Sequence, residues 1–355
     1  MGVARRLQPW RAAVEAALPH LHGHQINGLT EASWAMIQAR HCQLSKLAVT
    51  TPGSAQVPAR ERRLQRLVAN DRLEIDPTLD QWARWVLHDA AAVTLFLDET
   101  PQHNHLRAMK ISRMTAGRAV PVLWRVYRPD QLPMRQDQLV LDLLQRVHAA
   151  LPKQARPTLM VDRGLCWPTI VDFCKEHGWH FLLRAQGQTR IRRPGQPETS
   201  MAELAPRPGM GWCGRGEVFK KAGWREVNVV ARWDPKQQER WLLTTDLPAQ
   251  KRRCKQYRKR MRQEQSFRDE KSHGFHWNAS RIRKPDHASR LLLIMALAMA
   301  WLIRLGLHVT RSGQRGRFER RDRRTLSLFQ LGLRYLHDHL QPTRDPPVMF
   351  KSVGR

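Results

Sequence analysis

Acidic residues are scarce in this chain: 31 Asp and Glu stand against 61 Lys and Arg over 355 residues, a formal net charge of +30. Such an excess points to a polyanionic partner, with nucleic acid first and an anionic membrane surface far behind. Cysteines are few and odd in number, Cys42, Cys166, Cys174, Cys213 and Cys254, and no pair has CxxC spacing. That excludes the usual zinc and redox motifs and implies free thiols in a reducing cytoplasm. The opening MGVARRLQPW lacks the apolar stretch of a secretory signal, which argues against export. No apolar run reaches the roughly 20 residues of a membrane span; the longest, residues 291–303 between Arg290 and Arg304, reads as a buried core helix. Internal repeats are absent. What remains is 41% hydrophobic with 13 Trp, so the chain is a folded basic protein rather than a disordered tail, long enough for two or three units.

Residues 1–89 have helical periodicity, divided at Pro52-Gly53 and at Asp76-Pro77. They are expected to form either a DNA-end-binding region or a helical cap on the core. From Ala91 the texture changes. An apolar run over residues 91–97 meets Asp98, two further strands are expected near 109–114 and 120–127, and a helix follows over 136–150. A strand over 158–161 meets Asp162, Pro168 opens another helix, and a strand is expected at 179–184. Three strands, helix, strand, helix, strand is the order of an RNase H-like α/β core, here assigned to residues 90–185. Gly and Pro then become frequent over 186–249, where alternation marks strands at 217–220, 227–233 and 241–244, a β-rich insertion. Residues 250–306 return to helix and close the core. Residues 307–355 hold a basic stretch, 311–324, that could clamp a DNA backbone, and an amphipathic helix, 326–340, a candidate for dimerisation or for core packing.

Asp98 and Asp162 each follow an apolar strand, where strand ends gather side chains in one crevice. Each alone is more often a turn or capping residue, so the case depends on a third group. In YRKRMRQEQSFRDEK, Tyr257, Arg260, Glu264 and Lys271 stand at offsets 0, 3, 7 and 14 without an intervening Pro or Gly. At about 100° per residue these fall within roughly a 60° arc of one helix face, a row about 21 Å long that also takes in Arg268. The plainer reading is an exposed charged helix with weak i,i+4 pairs.

Tyr-x2-Arg-x3-Glu-x6-Lys resembles the YREK signature of the insertion sequence four family of bacterial DDE transposases, and Tyr257, Arg260, Glu264 and Lys271 match it at every spacing. The chain has only three Tyr, one of them at the head of this pattern. The resemblance runs from about Leu95 through Gly306. Two polar residues, Gln263 and Glu270, stand where apolar ones facing the core are expected, and Lys251-Arg252-Arg253 crowds the helix entrance.

The resemblance implies an RNase H-like catalytic domain whose third acidic residue lies beyond a β-rich insertion. It implies metal-dependent hydrolysis at transposon ends and transfer of the freed 3′-hydroxyl to target DNA. Two Mg²⁺ ions, with Mn²⁺ able to substitute, suit oxygen ligands, and the ligands implied are Asp98 as the bridge with Asp162 and Glu264. Arg260 and Lys271 would grip phosphates, with Arg268 on the same stripe and Tyr257 hydrogen-bonding nearby; Trp241 could stack on an extruded base. The partners implied are the terminal inverted repeats and target DNA, with a homodimer in the synaptic complex, no membrane, and a bacterial, nucleoid-associated cytoplasmic location. Alternatives are an RNase H-like nuclease without strand transfer and a non-catalytic DNA-binding repressor derived from a transposase. His103, His105, His273 and His276 fit no zinc pattern.

Overall fold

The computed structural model describes residues 5–102, 105–271 and 274–339. Five helices come first: α1 (Gln8–Ala17), α2 (Gly23–Ala39), α3 (Leu44–Thr50), α4 (Val57–Val68) and α5 (Ile75–Leu87). The apolar run that begins at Trp34 is divided because Arg40 takes a left-handed conformation, φ 49°, which ends α2. Asp76 and Pro77 fall in the first turn of α5, where Pro needs no backbone donor.

Three strands follow: β1 (Ala92–Gln102), β2 (Leu106–Thr115) and β3 (Arg118–Tyr127). Ala116 (φ 48°) and Gly117 (φ 81°) both take the positive φ that a tight hairpin between twisted strands requires. Then come α6 (Gln136–Ala150), β4 (Arg156–Val161), α7 (Pro168–Glu176) and β5 (His180–Arg184). The strands β6 (Arg190–Arg192), β7 (Thr199–Ser200), β8 (Gly211–Val218), β9 (Arg225–Arg232) and β10 (Trp241–Thr245) complete one sheet. Its order is β3-β2-β1-β4-β5-β10-β9-β8-β6-β7. β1, β4 and β5 pair in parallel through helical crossovers, as parallel neighbours must, and the other pairs are antiparallel. The strand expected at 217–220 lies earlier, at Gly211–Val218, because its alternation is hidden by Gly211, Gly214 and Gly216. A side chain on Gly214 would collide with the Trp212 ring, which lies over it at 2.5 Å.

The remaining described residues hold four α-helices, α8 (Arg252–Tyr257), α9 (Met261–Glu270), α10 (Pro285–Arg311) and α11 (Leu328–His339). α10 is long and apolar enough to cross a membrane, yet 83% of its most apolar stretch is buried within the fold. Trp301 on α10 stacks on Trp10 of α1 at 4.2 Å and meets Trp34 of α2 at 5.8 Å, so the N-terminal helices share one core with α10 and the sheet. Arg290 of α10, buried, donates to the carbonyls of Leu73 and Val68 and pairs with Asp71, tying the α4–α5 connection to the same helix. α11 turns its apolar face onto α10. The backbones meet at two glycines: a Cβ on Gly306 would sit 1.9 Å from Leu328 O, and one on Gly332 would sit 1.9 Å from Leu302 O. That packing is the core role weighed for this helix; Leu340, expected at its end, lies outside the described residues.

Candidate active site

The parallel ladder between β1 and β4 ends with Leu97 opposite Val161. The next residues on the two strands are Asp98 and Asp162, so register alone sets them side by side. β1 does not end at Asp98, as its sequence suggests. It runs on to Gln102 because β2 continues to supply ladder partners, Asp98 opposite Lys110 among them. Side chains alternate between the faces of a strand, so Asp98 shares a face with Phe96, and Asp162 with Met160. On that face Phe96, Met160, Leu182, Val230 and Leu243 form a small apolar cluster with Cys254 and Tyr257 of α8. This cluster seats α8 and α9 over the two aspartates.

The helical stretch bearing the third carboxylate is not a single regular helix. Arg258–Arg260 forms a 3₁₀ turn between α8 and α9, and Lys271 lies just beyond the end of α9. The backbone stays right-handed through the turn, which tightens and carries Tyr257 and Arg260 inward to the sheet. Tyr257, buried, donates to Val161 O at 3.1 Å and lies 3.4 Å from Asp162 Oδ1. Arg260, also buried, reaches all three predicted carboxylates. Its Nη2 donates to Asp98 Oδ2 at 2.6 Å and lies 3.6 Å from Asp162 Oδ2, while Nη1 lies 3.3 Å from Glu264 Oε1. Burial pushes the Asp98 carboxyl up to about 6; Arg260 and the Glu99 N–H pull it down, and Asp162 and Glu264 push it further up. Lys271 is held below the usual lysine range, first by burial and then by Lys110, against the pull of Glu270 and Asp98. Arg268 is exposed on α9 one turn beyond Glu264.

Among the described residues no three His, Cys, Asp or Glu side chains are gathered closely enough to hold a metal ion, because a guanidinium lies between the carboxylates. The donor set is nonetheless all carboxylate oxygen around a positive group, the chemistry of a hard divalent cation site.

Polar contacts also dock α9. Glu270 forms a buried ion pair with Lys110, whose Nζ lies 4.7 Å from the centre of the Phe267 ring and 5.6 Å from that of Trp277. Arg118 bonds Gln265 and approaches Asp269 at 3.7 Å, and the Ala119 N–H donates to Ser266 Oγ at 2.9 Å. Glu270 at a core position is thus explained by Lys110, a lysine in the largely buried strand β2. Gln263 is buried too, and its Oε1 has no partner among the described residues.

Trp241 meets Tyr257 edge-on at 5.7 Å, with Arg258 5.8 Å above its ring. It borders a cavity of about 360 Å³ that includes Arg232, Lys251, Arg252 and Lys255. A second cavity, about 580 Å³, is lined by Arg163, Arg184 and Arg240. Arg184 lies 3.9 Å from Asp162 Oδ1 and bonds Glu239 at 2.6 Å. The sequence does not single out these flanking arginines, since nothing in spacing tells which of so many basic residues surround the aspartates. The basic stretch 311–324 is largely exposed, with Arg315 paired to Glu319 and Arg317 to Asp338. His105 is exposed and His276 stacks on His41 at 5.0 Å; His103 and His273 lie outside the described residues.

Residues 136–301 match the family model described as "Transposase DDE domain". The matched span includes Asp162, Trp241, Tyr257, Arg260, Glu264 and Lys271, and begins after Asp98. No curated protein matches the chain.

Proposed function

We propose, from the premise that residues 136–301 carry a transposase DDE domain, that the chain is a cut-and-paste DNA transposase of the insertion sequence four type. Its reaction is metal-dependent cleavage of phosphodiesters at the ends of its element, followed by transfer of the freed 3′-hydroxyl into target DNA. The observation that carries this reading is the convergence of Asp98, Asp162 and Glu264, from three distant chain segments, on a single buried group, the Arg260 guanidinium. A net charge of +30 supports DNA as the partner. The element order from β1 to β5, with β6–β10 continuing the sheet before Glu264 is reached, supports an RNase H-like core carrying an insertion.

Asp98, Asp162 and Glu264 would hold divalent metal, Mg²⁺ or Mn²⁺, which when bound supplies charge neutralisation and activation of the attacking oxygen. Tyr257 fixes the end of β4 through Val161 O and so orients Asp162. The Glu99 N–H holds one oxygen of Asp98. Lys271, Arg268 and the cationic rim around Trp241 would track the phosphates of the bound strand, with Trp241 offering a stacking face. Synapsis of two ends calls for a homodimer on DNA, in the bacterial cytoplasm where the nucleoid lies.

The test is Mg²⁺-dependent nicking and joining on DNA bearing the element's own ends, comparing wild type with Glu264→Gln. Wild type should cut and join, and the variant should bind DNA while cutting at least about a hundredfold more slowly. Cutting without joining would favour a nuclease, and equal binding with no cutting by either protein would favour a non-catalytic DNA-binding protein.

A further inference from the structure

Only 7% of the Arg260 side chain is exposed, and its terminal nitrogens are committed to Asp98, Asp162 and Glu264. Its Nε is buried without a partner among the described residues, so the fit is not that of a finished structural ion pair. A single nitrogen, Nη2, serves both aspartates, through Asp98 Oδ2 and Asp162 Oδ2. The other oxygens face protein groups as well, Asp98 Oδ1 the Glu99 N–H and Asp162 Oδ1 the Tyr257 hydroxyl and Arg184, so a divalent cation held by both aspartates competes with the guanidinium for the two Oδ2 atoms. Two features provide a way out. Arg260 ends the 3₁₀ turn between α8 and α9, a point where a helical path can readjust without unfolding either helix. The neighbouring Arg258 and Lys259 are exposed, on the surface where a DNA backbone would lie. A phosphate offers the guanidinium the same two-oxygen partner that a carboxylate does.

We infer that Arg260 is an internal cation that closes the carboxylate cluster until a DNA phosphate draws it away, so that divalent metal binding is coupled to DNA binding. The inference rests on the metal-site reading of the three carboxylates given above. The apparent metal affinity of the free chain is reduced by the fraction in which the cluster is closed; a closed fraction of about 90% lowers it about tenfold. Thermodynamic linkage makes the effect reciprocal, so metal strengthens DNA binding by the same factor. A cluster closed in this way does not load metal, and so does not cut, away from DNA.

The experiment is Mn²⁺ titration of the full chain, followed by the spin-resonance signal of the free ion. Each protein is measured with and without a short duplex DNA, and the ions bound by the DNA alone are subtracted. Arg260→Gln should bind Mn²⁺ about tenfold more tightly than wild type without DNA, and DNA should add little. In wild type, DNA should raise the affinity about tenfold, and Arg260→Lys, which keeps the positive charge, should still respond to DNA. An Arg260→Gln affinity no higher than wild type, or a wild-type affinity that DNA leaves unchanged, overturns the coupling; the second measurement decides alone if Arg260→Gln does not fold. Asp98→Asn and Glu264→Gln separate the two levels. If they lose Mn²⁺ while Arg260→Gln matches wild type, the gate falls and the metal site stands. If they bind Mn²⁺ as well as wild type, or if no protein binds it, both fall.

Discussion

The Lys110–Glu270 pair bears directly on how the third carboxylate is held. Both side chains are almost fully buried, 1% and 2% exposed, and the pair joins β2 to the end of α9, the helix that carries Glu264. Replacing Lys110 with Met removes the charge but roughly keeps the volume, and it leaves Glu270 buried without its cation. Breaking a buried pair from one side costs about 3–5 kcal/mol, whereas replacing both partners with apolar residues is often nearly neutral. Unfolding entropy of about 2.1 cal/mol/K per residue gives roughly 0.75 kcal/mol/K for a chain of 355 residues. A loss of about 4 kcal/mol therefore lowers the melting temperature by ~5 °C. The assay is scanning calorimetry on wild type, Lys110→Met, Glu270→Leu and the double variant. The singles should fall by about that amount and the double should recover most of it, a coupling well above the few tenths of a kcal/mol seen between independent sites. A Lys110→Met protein that melts with wild type, or a double variant that melts at the sum of the single losses, refutes the argument that this pair docks α9.

Two further outcomes are expected. Asp98→Asn should stabilise the metal-free protein: the folded-state pKa of Asp98, about 6, lies above its ordinary 3.8, so its charged form costs stability as pH rises through that window. The gain should be absent below about pH 4 and reach up to ~3 kcal/mol above pH 7, read from melting temperature against pH with a chelator present; a loss at neutral pH would mean the pairing with Arg260 outweighs desolvation. Gly332→Ala should cost about 1–3 kcal/mol, since its new methyl would sit 1.9 Å from Leu302 O and must push α11 off α10; an unchanged denaturant midpoint would contradict that close approach.

The sheet was legible where local signals agree with tertiary ones. Buried parallel strands such as β4 are short apolar runs, α6 carries its own periodicity and α7 opens on Pro168, so their positions follow closely from the residues. Asp98 and Asp162 were visible because each breaks an apolar run. Their adjacency was not, because it depends on the β1–β4 register, a long-range pairing. The spacing around Glu264 predicts one regular rod, since its 3₁₀ turn has neither Pro nor Gly to announce it. The family resemblance implies a phosphate contact for Arg260. In the DNA-free structure its side chain lies among carboxylates that reach it from the sheet, a position no one-dimensional pattern contains.

The place of β10 in the sheet affects how the chain can be synthesised. Among the described residues β10 is the last strand in the chain, and it lies between β5 and β9, joining the two halves of the sheet. On a ribosome the open edge of β5 must therefore wait while about sixty further residues emerge, which takes roughly 3–12 s at 5–20 residues per second. During that interval the nascent chain presents an unpaired strand edge, a template for association with other chains. Glu264 lies beyond β10, so no nascent chain shorter than 264 residues holds all three carboxylates: the cluster can form only after every strand of this sheet has been made.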